Sequence, residues 1–119
     1  VSKNYVPRRG DVIRLDFHPQ TGHEQSGRRP ALVLSPVEYN RKVGLVVVCP
    51  ITSQKKDYPW EVDIPSNTQV HGVVLADQIK NLDWRQRHAQ FLCTPAADLL
   101  DEVLEKGFAL LSAEEDETD

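Results

Sequence analysis

The sequence predicts a mainly β domain, a small barrel or sandwich, with one helix at its C-terminal end. Three observations carry that expectation. Short apolar stretches recur as far as Cys93, broken by Pro, Gly, Asn and Ser. Two of them, ALVLS (31–35) and GLVVVCP (44–50), are continuously apolar, the mark of strands covered on both faces. Beyond Thr94 the apolar period lengthens from two to between three and four.

The elements follow in order. VIRLDF (12–17) alternates, with Ile13, Leu15 and Phe17 on one side and Arg14 and Asp16 on the other. ALVLS and GLVVVCP supply the next two strands. WEVDIP (60–65) alternates again, placing Trp60, Val62 and Ile64 inward and Glu61 and Asp63 outward. GVVLADQIK (72–80) begins apolar and turns polar, and HAQFLC (88–93) gives a final strand. Thr94 then serves as an N-cap with Pro95 at the first helical position. Leu99, Leu100, Val103, Leu104 and Leu111 form the apolar face of the helix. Asp98, Asp101, Glu102 and Glu105 lie opposite, and Gly107 weakens the helix near its end. The expected organisation is one domain over residues 1–111 and a disordered acidic tail, SAEEDETD, over 112–119.

At 119 residues the chain can bury a core without staples. Its two cysteines, Cys49 and Cys93, sit in apolar surroundings with no second pair to complete a metal knuckle, so buried thiols are expected. No apolar leader and no run long enough to span a bilayer is visible, which makes a cytoplasmic protein with no membrane partner the expectation. The net charge of −4 hides an asymmetry. Residues 1–60 carry ten Lys+Arg against five Asp+Glu, whereas from Asp98 onward nine carboxylates face one lysine. An acidic total therefore does not exclude a basic, anion-binding face on the body of the domain.

Chemistry-bearing residues concentrate in three polar stretches between the strands. GHEQSGRRP (22–30) holds Glu24, Gln25, Arg28 and Arg29, and TSQKKDYPW (52–60) holds Thr52, Ser53, Gln54, Lys55 and Lys56. LADQIKNLDWRQR (75–87) interleaves Asp77, Gln78, Lys80, Trp84, Arg85 and Arg87. Cations alternating with aromatics suit a single strand of nucleic acid, whose phosphates they track while ring faces stack on bases. Each feature also has a structural alternative. Trp60 and Trp84 can belong to the core, Lys55 and Lys56 to a solvated turn, and Glu24 with Arg29 to a surface ion pair.

The remaining chemistry narrows by exclusion. HPQTGHE (18–24) lacks the spacing of a helical zinc pair, so no metal is expected. No phosphate-binding loop, dinucleotide fingerprint or serine elbow is present, and no cofactor is implied. Phosphodiester cleavage through an RNA 2′-hydroxyl fits the inventory. It needs a base for that hydroxyl, a cation for the phosphorane and a donor for the leaving oxygen. Glu24 is the candidate base, a fixed arginine the candidate cation, and the Thr52 hydroxyl an extra donor to a phosphate oxygen.

The stretches YVPRRGDVIRLDFHPQTGHEQSGRRPALVLSP, YNRKVGLVVVCPITSQKKDYPWEV and GVVLADQIKNLDWR together resemble the MazF/PemK family of toxins. The pattern G-D-x-[IV], then G-x-E-Q-x-G-x-R-P, then P-x-T-[ST] carries the likeness across roughly residues 5–85. The resemblance implies an SH3-like barrel of the PemK/CcdB type that acts as a homodimer. It further implies an mRNA interferase that cuts single-stranded RNA without metal, leaving 2′,3′-cyclic phosphate and 5′-hydroxyl ends. A MazE-like antitoxin with an acidic flexible tail would silence it. Carried over by position, the catalytic residues are Arg29, Glu24 and Thr52. Arg28, Gln25, Ser53, Gln54, Lys55, Lys56, Asp77, Gln78, Lys80, Arg85 and Arg87 fall in RNA-contacting stretches. A gyrase poison of the CcdB type, built on the same fold, is the alternative.

Overall fold

The computed structural model describes residues 4–17 and 27–115. Seven strands and two helices follow in the order β1 (Val12–Phe17), β2 (Gly27–Val33), α1 (Val37–Val43), β3 (Leu45–Thr52), β4 (Glu61–Asp63), β5 (Val73–Leu75), β6 (Lys80–Asp83), β7 (Gln90–Cys93) and α2 (Ala97–Ser112). The strands pair antiparallel in the order β4-β5-β3-β2-β1-β7, with β6 also on β3. β3 is the shared member. Its early residues ladder with β6, its middle with β2, and Ile51 and Thr52 with β5. The result is an open, SH3-like barrel carrying a C-terminal helix, the fold class expected from the sequence.

Both faces of the central strands are covered, which explains the continuous apolar runs. Val12, Leu32, Cys49, Ile51, Val62 and Val74 pack together with Leu99 and Val103 of α2. On the opposite face Ile13, Leu15, Phe17, Ala31, Val33, Val46 and Val48 pack against Trp84. Fully burying side chains such as Ile13, Leu15 and Phe17 contributes about 2 kcal/mol each. Cys49 and Cys93 are free thiols, and burial pushes the Cys49 thiol up to about 12.

The structure departs locally from the sequence expectation at several points. The short helix α1, absent from the expectation, buries a polar residue. Asn40 Nδ2 donates to the carbonyls of Pro7 (2.8 Å) and Ser35 (3.1 Å), and its Oδ1 accepts the Ser35 hydroxyl at 2.6 Å. The Asn40 carbonyl accepts Trp84 Nε1 at 2.9 Å, so Trp84 belongs to the core. Asn40→Ala should cost about 3 kcal/mol in urea unfolding, because it orphans several buried polar groups at once.

The second departure concerns α2, which is capped by Ala96 rather than Thr94. The Thr94 hydroxyl donates instead to Asp11 Oδ1 (3.0 Å), a buried carboxylate whose Oδ2 accepts Tyr5 Oη at 2.6 Å. Thirdly, Gly107 is a packing residue and not a weak point. It is buried, and a Cβ there would meet Ile79 Cδ1 at 3.4 Å. Leu104 and Leu111, expected inward, are exposed along with Phe108. Finally, Trp60 is only half-buried, while Val62 and Ile64 after it are buried as expected.

Candidate active site

The register of β2 against β3 brings the first two polar stretches together. Ala31 faces Pro50 in the last pair of that ladder, so Arg29, two residues before it on β2, and Thr52, two residues after it on β3, stand at the same end of the sheet. Arg29 itself faces Leu15 on β1 and so shares the face of Ile13, Leu15 and Ala31. Pro30 favours extended backbone at Arg29, in keeping with a β2 that runs unbroken through both residues. Arg29 is half-buried and Thr52 buried, so both side chains start from rigid backbone. Lys80, opposite Val48, lies on that same face.

Thr52 is fixed locally. Its Oγ1 accepts the backbone N–H of Gln54 at 3.1 Å, which leaves the hydroxyl proton available to another acceptor. Ser53 and Gln54 follow on the exposed turn. Behind them Gly72 comes so close that a Cβ would stand 2.1 Å from the Thr52 carbonyl oxygen.

The third stretch is displayed by a break in the sheet. Ile51 faces Val74, and an unbroken ladder would set Val48 opposite Asp77; Val48 faces Lys80 instead. The chain between β5 and β6 therefore loops out of the sheet and exposes Asp77 beside the half-buried Gln78. Tyr58 Oη donates to Asp77 Oδ1 at 2.8 Å, tying this excursion to the turn after Thr52. Burial, with that carboxylate second, pushes the Tyr58 phenol well above its ordinary value, so it stays a donor.

Several expected RNA contacts have other work. The Arg28 guanidinium donates to Asp16 Oδ1 (3.2 Å) and to the His88 carbonyl (2.8 Å). Arg87 Nη1 donates to the Asp16 carbonyl at 3.0 Å, and His88 Nδ1 sits 3.1 Å from Asp16 Oδ2. Arg28 and Arg87 thus clamp the loop end of the hairpin that carries Arg29. Lys55 pairs with Asp63 at 2.9 Å and lies 3.6 Å from Asp57. The backbone N–H groups of Lys56 and Asp57 bind the Glu61 carboxylate, so this turn is built, with the Lys56 side chain exposed. Arg85 is exposed over the Trp84 ring. Glu24 and Gln25 lie outside the described residues.

His88 and Asn40, which organise the clamp and the core, carried no signal in the sequence reading. A left-handed backbone (φ 55°) at His88 and a buried amide are both invisible to periodicity. The Asp16 carboxyl is held below its ordinary value of 3.8, first by His88 and then, against some desolvation, by Arg28. A depressed carboxylate contributes stability above its unfolded value and loses it as pH falls through the folded one. Wild type should therefore resist urea better than Asp16→Asn at pH 7, and the two midpoints should converge in acid below 3.8.

Among the described residues no three His, Cys, Asp or Glu side chains group as metal ligands, and no helix is long and apolar enough to cross a membrane. Comparison with known proteins agrees with the geometry. Residues 8–107 match the family model described as PemK-like, MazF-like toxin of type II toxin–antitoxin system. The endoribonuclease toxin MazF of Escherichia coli K12 is 52% identical over 85 residues, covering 71% of this chain and 76% of that protein. Crystalline MazF from Deinococcus radiodurans superposes with a TM-score of 0.87 at 54% identity, covering 91% of this chain and 98% of the other. A MazE–MazF crystal structure from the same organism gives 0.84 at 52% identity, covering 93% and 100%.

Proposed function

This chain belongs to the PemK-like, MazF-like toxins of type II toxin–antitoxin systems, and from that premise we propose that it is an endoribonuclease cutting single-stranded mRNA without a metal. The observation that carries the reading is the β2–β3 register, which favours Arg29 and Thr52 acting on one phosphate. In the step proposed, the ribose 2′-oxygen attacks the adjacent phosphorus. The O2′–P bond forms and the P–O5′ bond breaks, the departing 5′-oxygen taking a proton from solvent water, so that the products end in a 2′,3′-cyclic phosphate and a 5′-hydroxyl.

Each residue has a role that its chemistry supports. The planar Arg29 guanidinium stabilises the charge gathering on the non-bridging oxygens. The Thr52 hydroxyl, whose oxygen already accepts from Gln54, donates a hydrogen bond to one of those oxygens. Glu24 takes the 2′-hydroxyl proton, a role that rests on its place in the E-Q pair. Ser53, Gln54, Asp77 and Gln78 line the approach, where the tie between Tyr58 and Asp77 holds two loops in register.

The partner is a MazE-like antitoxin, a reading supported by the MazE–MazF structures of the Deinococcus relative. The acting form is a homodimer. Leu104, Phe108 and Leu111, exposed at helical spacing on α2, supply the kind of apolar stripe that a second subunit covers. The site of action is the cytoplasm, where mRNA is found. The Escherichia coli relatives are endoribonuclease MazF proteins, and nothing supports the gyrase-poison alternative.

The test is the product chemistry. Mass spectrometry of a cleaved oligoribonucleotide should find a cyclic phosphate on the upstream fragment. A single 2′-deoxy substitution at the cut nucleotide should abolish cleavage there. Fragments ending in 3′-hydroxyl, or cleavage of the deoxy substrate at the normal rate, would refute the mechanism.

A further inference from the structure

A second feature of the fold lies beyond Arg29, Thr52 and their loops. Next to Trp84 is an open cavity of about 450 Å³, within the range of small-molecule sites, whose lining includes Tyr5, Arg41, Trp84, Arg85 and His88. Trp84 is only 7% exposed, so its ring is no platform for a ligand. Its exposed neighbour is one, because the Arg85 guanidinium carbon lies 4.5 Å from the ring centroid. Trp84 is itself held by its bond to the Asn40 carbonyl, so Arg85 rests on a fixed support.

The charged side chains lining the cavity are Arg41 and Arg85, with His88 beside them. Arg85 has no carboxylate partner for its guanidinium among the described residues. Among the described residues Arg41 pairs only with Glu38, on the exposed face of α1, where such a pair is worth little and yields readily to a phosphate. His88 joins the cavity to the catalytic hairpin. Its imidazole pairs with Asp16, and its carbonyl receives Arg28, the neighbour of Arg29 in β2.

We infer that this cavity is a flanking-nucleotide subsite of the RNA path. A base stacks on the outer face of the Arg85 guanidinium, and Arg41 and His88 hold the adjoining phosphate. Guanidinium planes stack bases as aromatic rings do, and the arrangement selects for single strands because a duplex does not release its bases. The subsite rests on the ribonuclease reading above and deepens it. It lengthens the bound strand beyond the nucleotides at the scissile bond.

Binding to uncleavable RNA tests the subsite separately from catalysis. The probes are 2′-O-methyl oligouridylates of about six and about twelve nucleotides, read by fluorescence anisotropy across a salt series. Wild type should bind the longer probe at least ~10-fold tighter than the shorter. Arg41→Ala should lose about 3-fold or more of that advantage and lower the salt slope by about 0.7, as for one phosphate contact on a single strand. Arg85→Ala should lose the advantage to a similar extent, and Arg85→Lys should keep the slope while recovering only part of the affinity. The inference is overturned if either alanine variant keeps the wild-type ratio and slope, or if both probes weaken equally. A protein that binds the probes in this pattern yet leaves plain RNA whole would refute the ribonuclease reading and leave the subsite standing.

Discussion

Arg29→Ala should cleave RNA about 100- to 1000-fold more slowly than wild type, the loss that follows removal of one preorganised donor to a developing oxyanion. The loss should fall on kcat, because the interaction strengthens as charge gathers on the phosphate. Stability should change little by comparison, since Arg29 is half-buried near the start of β2. Arg29→Lys should recover only part of the rate, because an ammonium carries the charge without the bidentate fork. Single-turnover cleavage of one oligoribonucleotide by the three proteins measures these effects. Equal rates for Arg29→Ala and wild type would remove Arg29 from the mechanism.

The second large effect is expected at a residue with no functional group. Gly72 has φ +118°, and an added Cβ would stand 2.1 Å from the Thr52 carbonyl oxygen and 3.0 Å from Ser53 Cα. Both obstacles are backbone, so no side chain can swing aside. Gly72→Ala must shift β5 away from the end of β3, where Val73 pairs with Thr52. A cost of about 3 kcal/mol and a melting point lower by about 10 °C are expected. Cleavage should fall as well, even at temperatures where the variant is folded, because the Thr52 hydroxyl moves with its backbone. A Gly72→Ala protein with wild-type melting and wild-type cleavage would show that the close approach is not needed.

How far the sequence revealed this arrangement depends on the kind of signal each element carries. VIRLDF alternates cleanly and forms β1 with those same ends. ALVLS lies in a doubly covered sheet, and its apolar run reflects Ala31 and Val33 on one face and Leu32 and Leu34 on the other. Helix α1 was not legible, because its seven residues bury Asn40 while Val43 is exposed, reversing the usual pattern. Its end did carry a signal in Gly44, which adopts the left-handed conformation of a C-cap. GVVLADQIK read as one strand because nothing in the residues announces the register slip that pushes Asp77 outward.

The candidate site divides in the same way. Arg29 and Thr52 stand out by residue type and by their places beside Pro30 and at the end of an apolar run. The registers that juxtapose them are long-range pairings, which local sequence does not encode. Cations were easy to find, but their partners were not. Arg28 binds Asp16 and the carbonyl of His88, which lies 60 positions away, so its guanidinium shapes the hairpin. Lys55 pairs with Asp63 in an exposed contact that, like that of Arg41 with Glu38, yields readily. A guanidinium is free to meet RNA where the fold gives it no fixed partner, and Arg85, with no carboxylate partner among the described residues, meets that condition better than Arg28.

The account stands most directly on whether the purified protein cuts RNA without a metal. A long single-stranded RNA and an all-DNA copy of the same sequence would be incubated with the protein in excess EDTA and run on a denaturing gel, beside Arg29→Ala. The expected result is a set of discrete RNA fragments, with the DNA intact and the Arg29→Ala lane essentially uncut. RNA left whole by the wild-type protein, or the same fragments in the Arg29→Ala lane, would contradict it.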